Sequence, residues 1–303
     1  MPTQRSGPSR RRFVAAAGAG LAGVGGCVAP FGGSLGSGDA VSALVAGSLQ
    51  RTFGEGVRDA TDRSLRVEAH GSVTAARLVA TGKRDPDLVA LADVRLFDSV
   101  LDAPWHATVA GNALALAYDA ESRGGRRVAD ADRWFDPVLA GEASLGRTDP
   151  DLDPLGYRTC IMLDLAAEFY GEPGLRERVL AQRQVYPETS LLSRFETGSL
   201  DAAVVYRNMA VERGYEFRDL PAAVDLSDPA RDGAYADATY AREDGETVEG
   251  RHIAYGLLAR STDDATRDVF DRVAAGRVLR DHGFVVPDRY PRYEGDVPRA
   301  FRG

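Results

Sequence analysis

The sequence predicts an α/β fold of two lobes with a cleft between them. Three observations predict it. Residues 41–92 alternate short apolar runs with helical patterns, separated by glycine-punctuated turns, which is the signature of a parallel α/β unit. A second set of strands and helices follows over 118–250. A late apolar run, 253–259, then returns to complete the first unit.

In order, 41–47 (VSALVAG) reads as a buried strand, 49–60 as a helix, 65–69 as a strand and 72–81 as a helix. Residues 87–92 (DLVALA) form a third buried strand, and 107–118 reads as a pair of strands turning at Gly111-Asn112. Helices are expected over 130–140, 157–170, 172–184 and 190–197, then a strand at 202–206 (AAVVY). Residues 209–213 read as helical, 217–220 as a strand and the polar stretch 233–249 as a hairpin. A helix over 264–277 follows the returning strand, and the tail from 287 shows no core pattern. The division is a first lobe of 41–117 plus 251–303 and a second of 118–250, with the cleft between them the expected ligand site.

The first 27 residues address the chain to the outside. Ser9-Arg10-Arg11-Arg12-Phe13-Val14 reads as a twin-arginine export signal, followed by thirteen Ala/Gly-rich residues ending at Cys27. That run is too short to span a hydrocarbon core of ~30 Å, which takes about 20 apolar residues. Val24-Gly25-Gly26-Cys27 resembles a lipobox, so residues 1–26 are expected to be removed and Cys27 acylated. Residues 27–40, rich in Gly and Ser, form a flexible leash. With Cys27 lipidated, Cys160 has no disulfide partner.

The formal charge is −8, and losing the four signal arginines takes it to about −12, which excludes nucleic acid as a partner. Lys83 is the only lysine among 37 basic residues. Abundant Asp with almost no Lys suits a protein kept soluble in high salt, a halophilic composition.

Two segments end a strand with glycine and then place Ser at a helix start: Gly47-Ser48 and Gly71-Ser72. Gly146-Arg147-Thr148 is a weaker third. Such turns leave backbone N–H groups unpaired beside a hydroxyl, and two facing one another make an anion site without lysine or arginine. Either serine alone also fits a simple N-cap.

Ala46–Leu49 (AGSL), Gly71–Val73 (GSV), Leu91–Asp93 (LAD) and above all Gly146–Arg158 (GRTDPDLDPLGYR) resemble the archaeal-type molybdate/tungstate-binding proteins of ABC transporters. Segments 196–206, 207–214 and 248–256 resemble later blocks of that family, in order, so the likeness runs from about Val41 to Phe284. It implies a type II periplasmic-binding-protein-like fold, a monomer held at the outer face of the membrane, and an ABC permease as partner. It implies no cofactor and no enzymatic activity, the ligand being molybdate or tungstate. Ser48, Ser72 and Tyr206 would donate to oxyanion oxygens. Asp153 and Glu188 match carboxylates that bond directly to the molybdenum or tungsten centre. Two carboxylates near a dianion would otherwise repel it by several kcal/mol. Sulfate and phosphate accept no such ligands, so the pair would also reject them. Arg158 is expected to brace the second lobe by pairing with a carboxylate.

The alternatives are a binding protein for sulfate, phosphate or another small oxyanion, and a secreted anchored hydrolase. No GxSxG, HExxH or clustered His/Cys pattern favours the latter. A triad of Ser72, an aspartate and His70 would demand that near neighbours in sequence face one another.

Overall fold

The computed structural model of the protein describes residues 40–302; the twin-arginine segment, Cys27 and residues 28–39 lie outside the described residues. The first lobe is built on β1 (Ala40–Ala46), β2 (Ser64–His70), β3 (Leu88–Leu91) and β4 (Trp105–Asn112). The second lobe holds β5 (Leu114–Tyr118), β6 (Leu145–Thr148), β7 (Val185–Tyr186), β8 (Ala202–Tyr206) and β9 (Phe217–Asp219), with a small hairpin of β10 (Thr239–Ala241) and β11 (Thr247–Glu249). The chain then returns as β12 (Ile253–Ala259) and ends with β13 (Arg292–Gly295).

Six strands in the order β13-β4-β12-β3-β1-β2 form one sheet, and five in the order β7-β6-β8-β5-β9 form the other. As the sequence predicts, β1 lies parallel to both β2 and β3, since each connection carries a helical segment over the sheet. All seven residues of β12 are buried because it sits inside the sheet, antiparallel to β3 and β4. Gly256 on this strand leaves the space that the Phe97 ring fills.

The run 107–118 is not a hairpin. Only Ala113 separates β4 from β5, and β5 pairs with β8 and β9 of the second sheet. One residue cannot fold a strand back on its neighbour, so the chain crosses between lobes there. Asn112 pins the crossing: its Oδ1 accepts from Ala113 N at 2.9 Å, and its Nδ2 donates to Asn208 Oδ1 at 2.8 Å.

Other local readings shift. The helix after β1 includes a π-helical stretch at Thr52–Val57. The stretch 130–140 divides into the end of Arg123–Asp130, capped by Ser122, and the short Asp136–Leu139. The stretch 172–184 holds only Leu175–Leu180 before β7, and 264–277 breaks at Gly276, whose φ of 72° no ordinary helix accommodates. Ser190–Thr197 begins two residues earlier, at Glu188.

The tail departs most from its sequence reading. β13 pairs antiparallel with β4, and Phe301, 2% exposed, packs its ring 5.1 Å from Trp105 and 4.8 Å from Phe270. Its apolar residues are too widely spaced to show a period, yet they close the core. Phe301→Ala should therefore cost about 3 kcal/mol, the usual loss for a large core aromatic. A shift of the urea unfolding midpoint checks this, and an unchanged midpoint would mean that the tail only rests on the surface.

Candidate functional site

Buried polar side chains at the strand ends of both sheets form one polar region, the chamber. Ser48 lies in the Gly47–Leu49 turn after β1, and Ser72 opens the helix Ser72–Ala80 after β2. From the second lobe come Asp153, capping Pro154–Tyr170, Glu188, first residue of Glu188–Glu196, and Tyr206, last residue of β8. None of the five is more than 3% exposed. Polar groups so placed must bond one another or a ligand.

The three hydroxyls share one arrangement. Ser48 Oγ accepts from the Tyr255 phenol at 3.0 Å, Ser72 Oγ from Ala92 N at 3.0 Å, and Tyr206 Oη from Arg158 Nη1 at 2.8 Å. A hydroxyl whose oxygen is already accepting keeps its single hydrogen to donate elsewhere. Desolvation holds the Tyr206 phenol well above its ordinary range, so it remains a donor.

The carboxylates are differently placed. Glu188 Oε2 accepts from Gly47 N at 3.1 Å and its Oε1 from Ser48 N at 3.2 Å, so its carboxylate occupies the N–H groups that the sequence assigns to an anion. A side chain at position 47 would run into Glu188, which explains the glycine. Asp153 Oδ1 accepts from Thr148 Oγ1 at 2.8 Å and from Gly156 N at 3.0 Å, a true N-cap. Gly71 again lets the lobes close, because a Cβ there would lie 2.6 Å from the Cβ of Asp153. Desolvation pushes Asp153 up to about 7, against the pull of Thr148 and its N-cap donors. Glu188 is raised well above its ordinary value, by desolvation first and then by Asp153. Among the described residues no group of three or more His, Cys, Asp or Glu could hold a metal ion.

Asp93, just after β3, joins the lobes. Its Oδ2 accepts from Tyr157 Oη at 2.8 Å and from Arg95 Nη2 at 2.7 Å, with Arg158 Nη2 at 3.5 Å. Burial alone would raise this carboxyl, yet Arg95 and Arg158 hold it far below the usual carboxylate range. Arg158 does not simply brace its own lobe, for its Nη1 donates to Ala92 O of the first lobe at 2.6 Å. The mouth is closed by Leu152 O, which accepts from Thr74 N at 3.2 Å, and by Arg77, paired with Asp244 at 2.7 Å.

Of the five predicted residues, Glu188 bonds the Ser48 backbone and interacts electrostatically with Asp153 and Tyr206, while Ser72 follows Gly71, which packs against Asp153. Sequence reasoning gave no role to Asp93, Tyr255 or Asn208, whose Nδ2 donates to Ser48 O at 2.9 Å, and read Thr148 only as a weak anion turn and Asn112 only as a strand turn. Tyr255 and the two asparagines carry no local signal, since each bonds a residue about 95 or more positions away. His70 Nε2 lies 2.8 Å from Glu68 Oε1, while Ser72 Oγ is engaged by Ala92 N, so the conceivable hydrolase triad is not assembled.

The family model of bacterial extracellular solute-binding proteins matches residues 53–284. The chain is 49% identical over 96% of both chains to a candidate ABC transporter molybdenum-binding protein of Haloferax volcanii. It is 27% identical to a molybdate/tungstate-binding protein of Thermococcus kodakarensis, covering 63% of this chain and 62% of that one. In structure it resembles the periplasmic molybdate-binding protein of Azotobacter vinelandii, with a TM-score of 0.54, 12% identity, and 82% of this chain and 99% of that one covered.

Two outcomes follow from the charges. Asp93→Asn leaves two guanidinium groups without their counter-charge, one of them fully buried, and should cost about 3–5 kcal/mol in chemical denaturation. Asp153 has the opposite sign. Its carboxyl is raised, so the stability it gives the fold is complete below about pH 4 and is lost as pH climbs through about 7. Asp153→Asn keeps the cap and should flatten that part of the melting-temperature profile; an unchanged slope between pH 4 and 7 would contradict the assignment.

Proposed function

Since the chain belongs to the bacterial extracellular solute-binding protein family, and its relatives serve transporters rather than act as enzymes, we propose that the buried chamber captures molybdate or tungstate for an ABC permease. One observation carries the reading. Three fully buried hydroxyls from both lobes, each already accepting from behind, converge with two carboxylates whose charge no cation answers directly.

Such a set of donors suits a tetrahedral oxyanion. Ser48 and Ser72 supply hydroxyl hydrogens from the first lobe, and Tyr206 supplies a phenol from the second. Closure is then favoured only when one ligand touches both lobes. Asp153 and Glu188 make sense where their oxygens bond the metal centre and expand its coordination. Sulfate offers no such centre, so the two carboxylates would repel it without any compensating bond. No reaction is catalysed. The body works outside the cytoplasm, acylated at Cys27 and tethered by residues 28–40, a single copy beside its permease. The arginine-rich, acidic composition suits the salt in which relatives such as that of Haloferax volcanii live.

Calorimetric titration of the protein in high salt with tungstate, molybdate and sulfate is the test. Tight binding of the first two and silence from sulfate are expected. Ser48→Ala or Ser72→Ala should each weaken tungstate by roughly 1–3 kcal/mol, the worth of a hydrogen bond to charge. Asp153→Ala should let sulfate compete. Full affinity and selectivity in that variant would sink the metal-coordination role, and binding of sulfate by the unaltered protein would replace the ligand assignment.

A further inference from the structure

Two of the donors behind the chamber hydroxyls are side chains to which the oxyanion reading gives no part. Tyr255, in the middle of β12, is fully buried; its phenol donates to Ser48 Oγ at 3.0 Å and accepts from Asn112 Nδ2 at 3.4 Å. Its ring is wedged edge-on between Tyr206, 5.8 Å away, and Phe284, 5.0 Å away. That packing leaves the phenol one direction in which to point. Arg158 plays the same part for Tyr206: its Nη1 donates to both Tyr206 Oη and Ala92 O, while Nη2 faces Asp93 Oδ2 at 3.5 Å.

A hydrogen bond received on the oxygen does two things to a hydroxyl. It removes the directions in which the hydrogen would face the incoming donor, and it polarises the O–H bond so that the hydrogen is given more strongly. At Ser48 the backbone N–H donates to Glu188 Oε1 at 3.2 Å while the hydroxyl oxygen accepts from Tyr255. Asn112 stands behind Tyr255 in turn, so a relay of donors runs from the crossing between the lobes to the chamber.

We propose that Tyr255 and Arg158 are positioning residues, which aim the hydrogens of Ser48 and Tyr206 at the bound oxyanion; Tyr255 acts on affinity only through Ser48, and Arg158 through Tyr206 besides its contacts across the lobes. This rests on the oxyanion reading above. A residue that merely supports the fold costs affinity in every background. A positioning residue loses its effect once the hydroxyl it serves is gone.

The experiment is a pair of double-mutant cycles on the full-length protein, read by calorimetric titration with sodium tungstate in high salt. Tyr255→Phe removes one oxygen and should weaken tungstate roughly 3- to 10-fold, the worth of one hydrogen bond. In a Ser48→Ala background the same change should cost less than about 2-fold, by the logic of coupled sites. Arg158→Lys, one bond shorter than arginine, withdraws the donor from Tyr206 Oη, and the part of its loss that runs through this hydroxyl should likewise shrink in a Tyr206→Phe background. Chemical denaturation of each variant reports folding, and should Arg158→Lys fail to fold, the Tyr255 cycle decides alone. Equal losses in both backgrounds, or no loss from Tyr255→Phe, overturn the proposal while leaving the oxyanion reading intact. Failure of the unaltered protein to bind either tungstate or molybdate overturns both.

Discussion

The closed form depends on a single buried carboxylate. Asp93 projects from the first lobe into a region sealed from water, where an unanswered charge would cost several kcal/mol. Arg95 answers it from its own lobe, and Tyr157 with Arg158 answers it from the other. Neither lobe satisfies this group alone. Because Asp93 is held far below and Arg158 above their ordinary values, the junction stays charged at any working pH. Arginine suits the task better than lysine, since its planar fork bonds Ala92 O and Tyr206 while still facing Asp93.

Across the chamber the logic reverses. Asp153 and Glu188 have backbone and hydroxyl donors but no guanidinium, and both hold their protons more tightly than usual. Glu188 takes up the donors that the sequence reading assigns to an anion, Gly47 N and Ser48 N. An entering oxyanion must share those donors with a carboxylate or dislodge it. In the proposed reading, a ligand with a bondable metal centre turns the competitor into a partner, and a sulfate cannot. The same residues can thus favour one anion and penalise another of equal charge.

How much of this was legible in the sequence follows from the range of the interactions. The parallel β1 and β3 were readable because each is a short apolar run, β2 because it ends at Gly71 before a helical pattern, and β12 as a late apolar run, every residue of which is buried. Ser48, Ser72 and Asp153 were readable because strand ends and helix caps carry their signals within a few residues. The crossing at Ala113 was not, because a strand leaving one sheet looks locally like one turning back. Tyr255, Asn112 and Asn208 were hidden for a stronger reason, as their partners are set by the fold alone. Glu188 fell between these cases: its position came from a family pattern, and its bonds to Gly47 and Ser48 span about 140 residues.

The tail's placement has a consequence for how copies of the protein meet. Without β13, the outer strand of the six-stranded sheet on that side would be β4, an apolar strand with its N–H and C=O groups free to pair with another copy. Salts that strengthen apolar association make such pairing worse. The opposite margin, β2, needs no cover because Arg66 and Glu68 line it with charge. The last fifteen or so residues, silent in the sequence, thus keep one molecule from adding its sheet to the next.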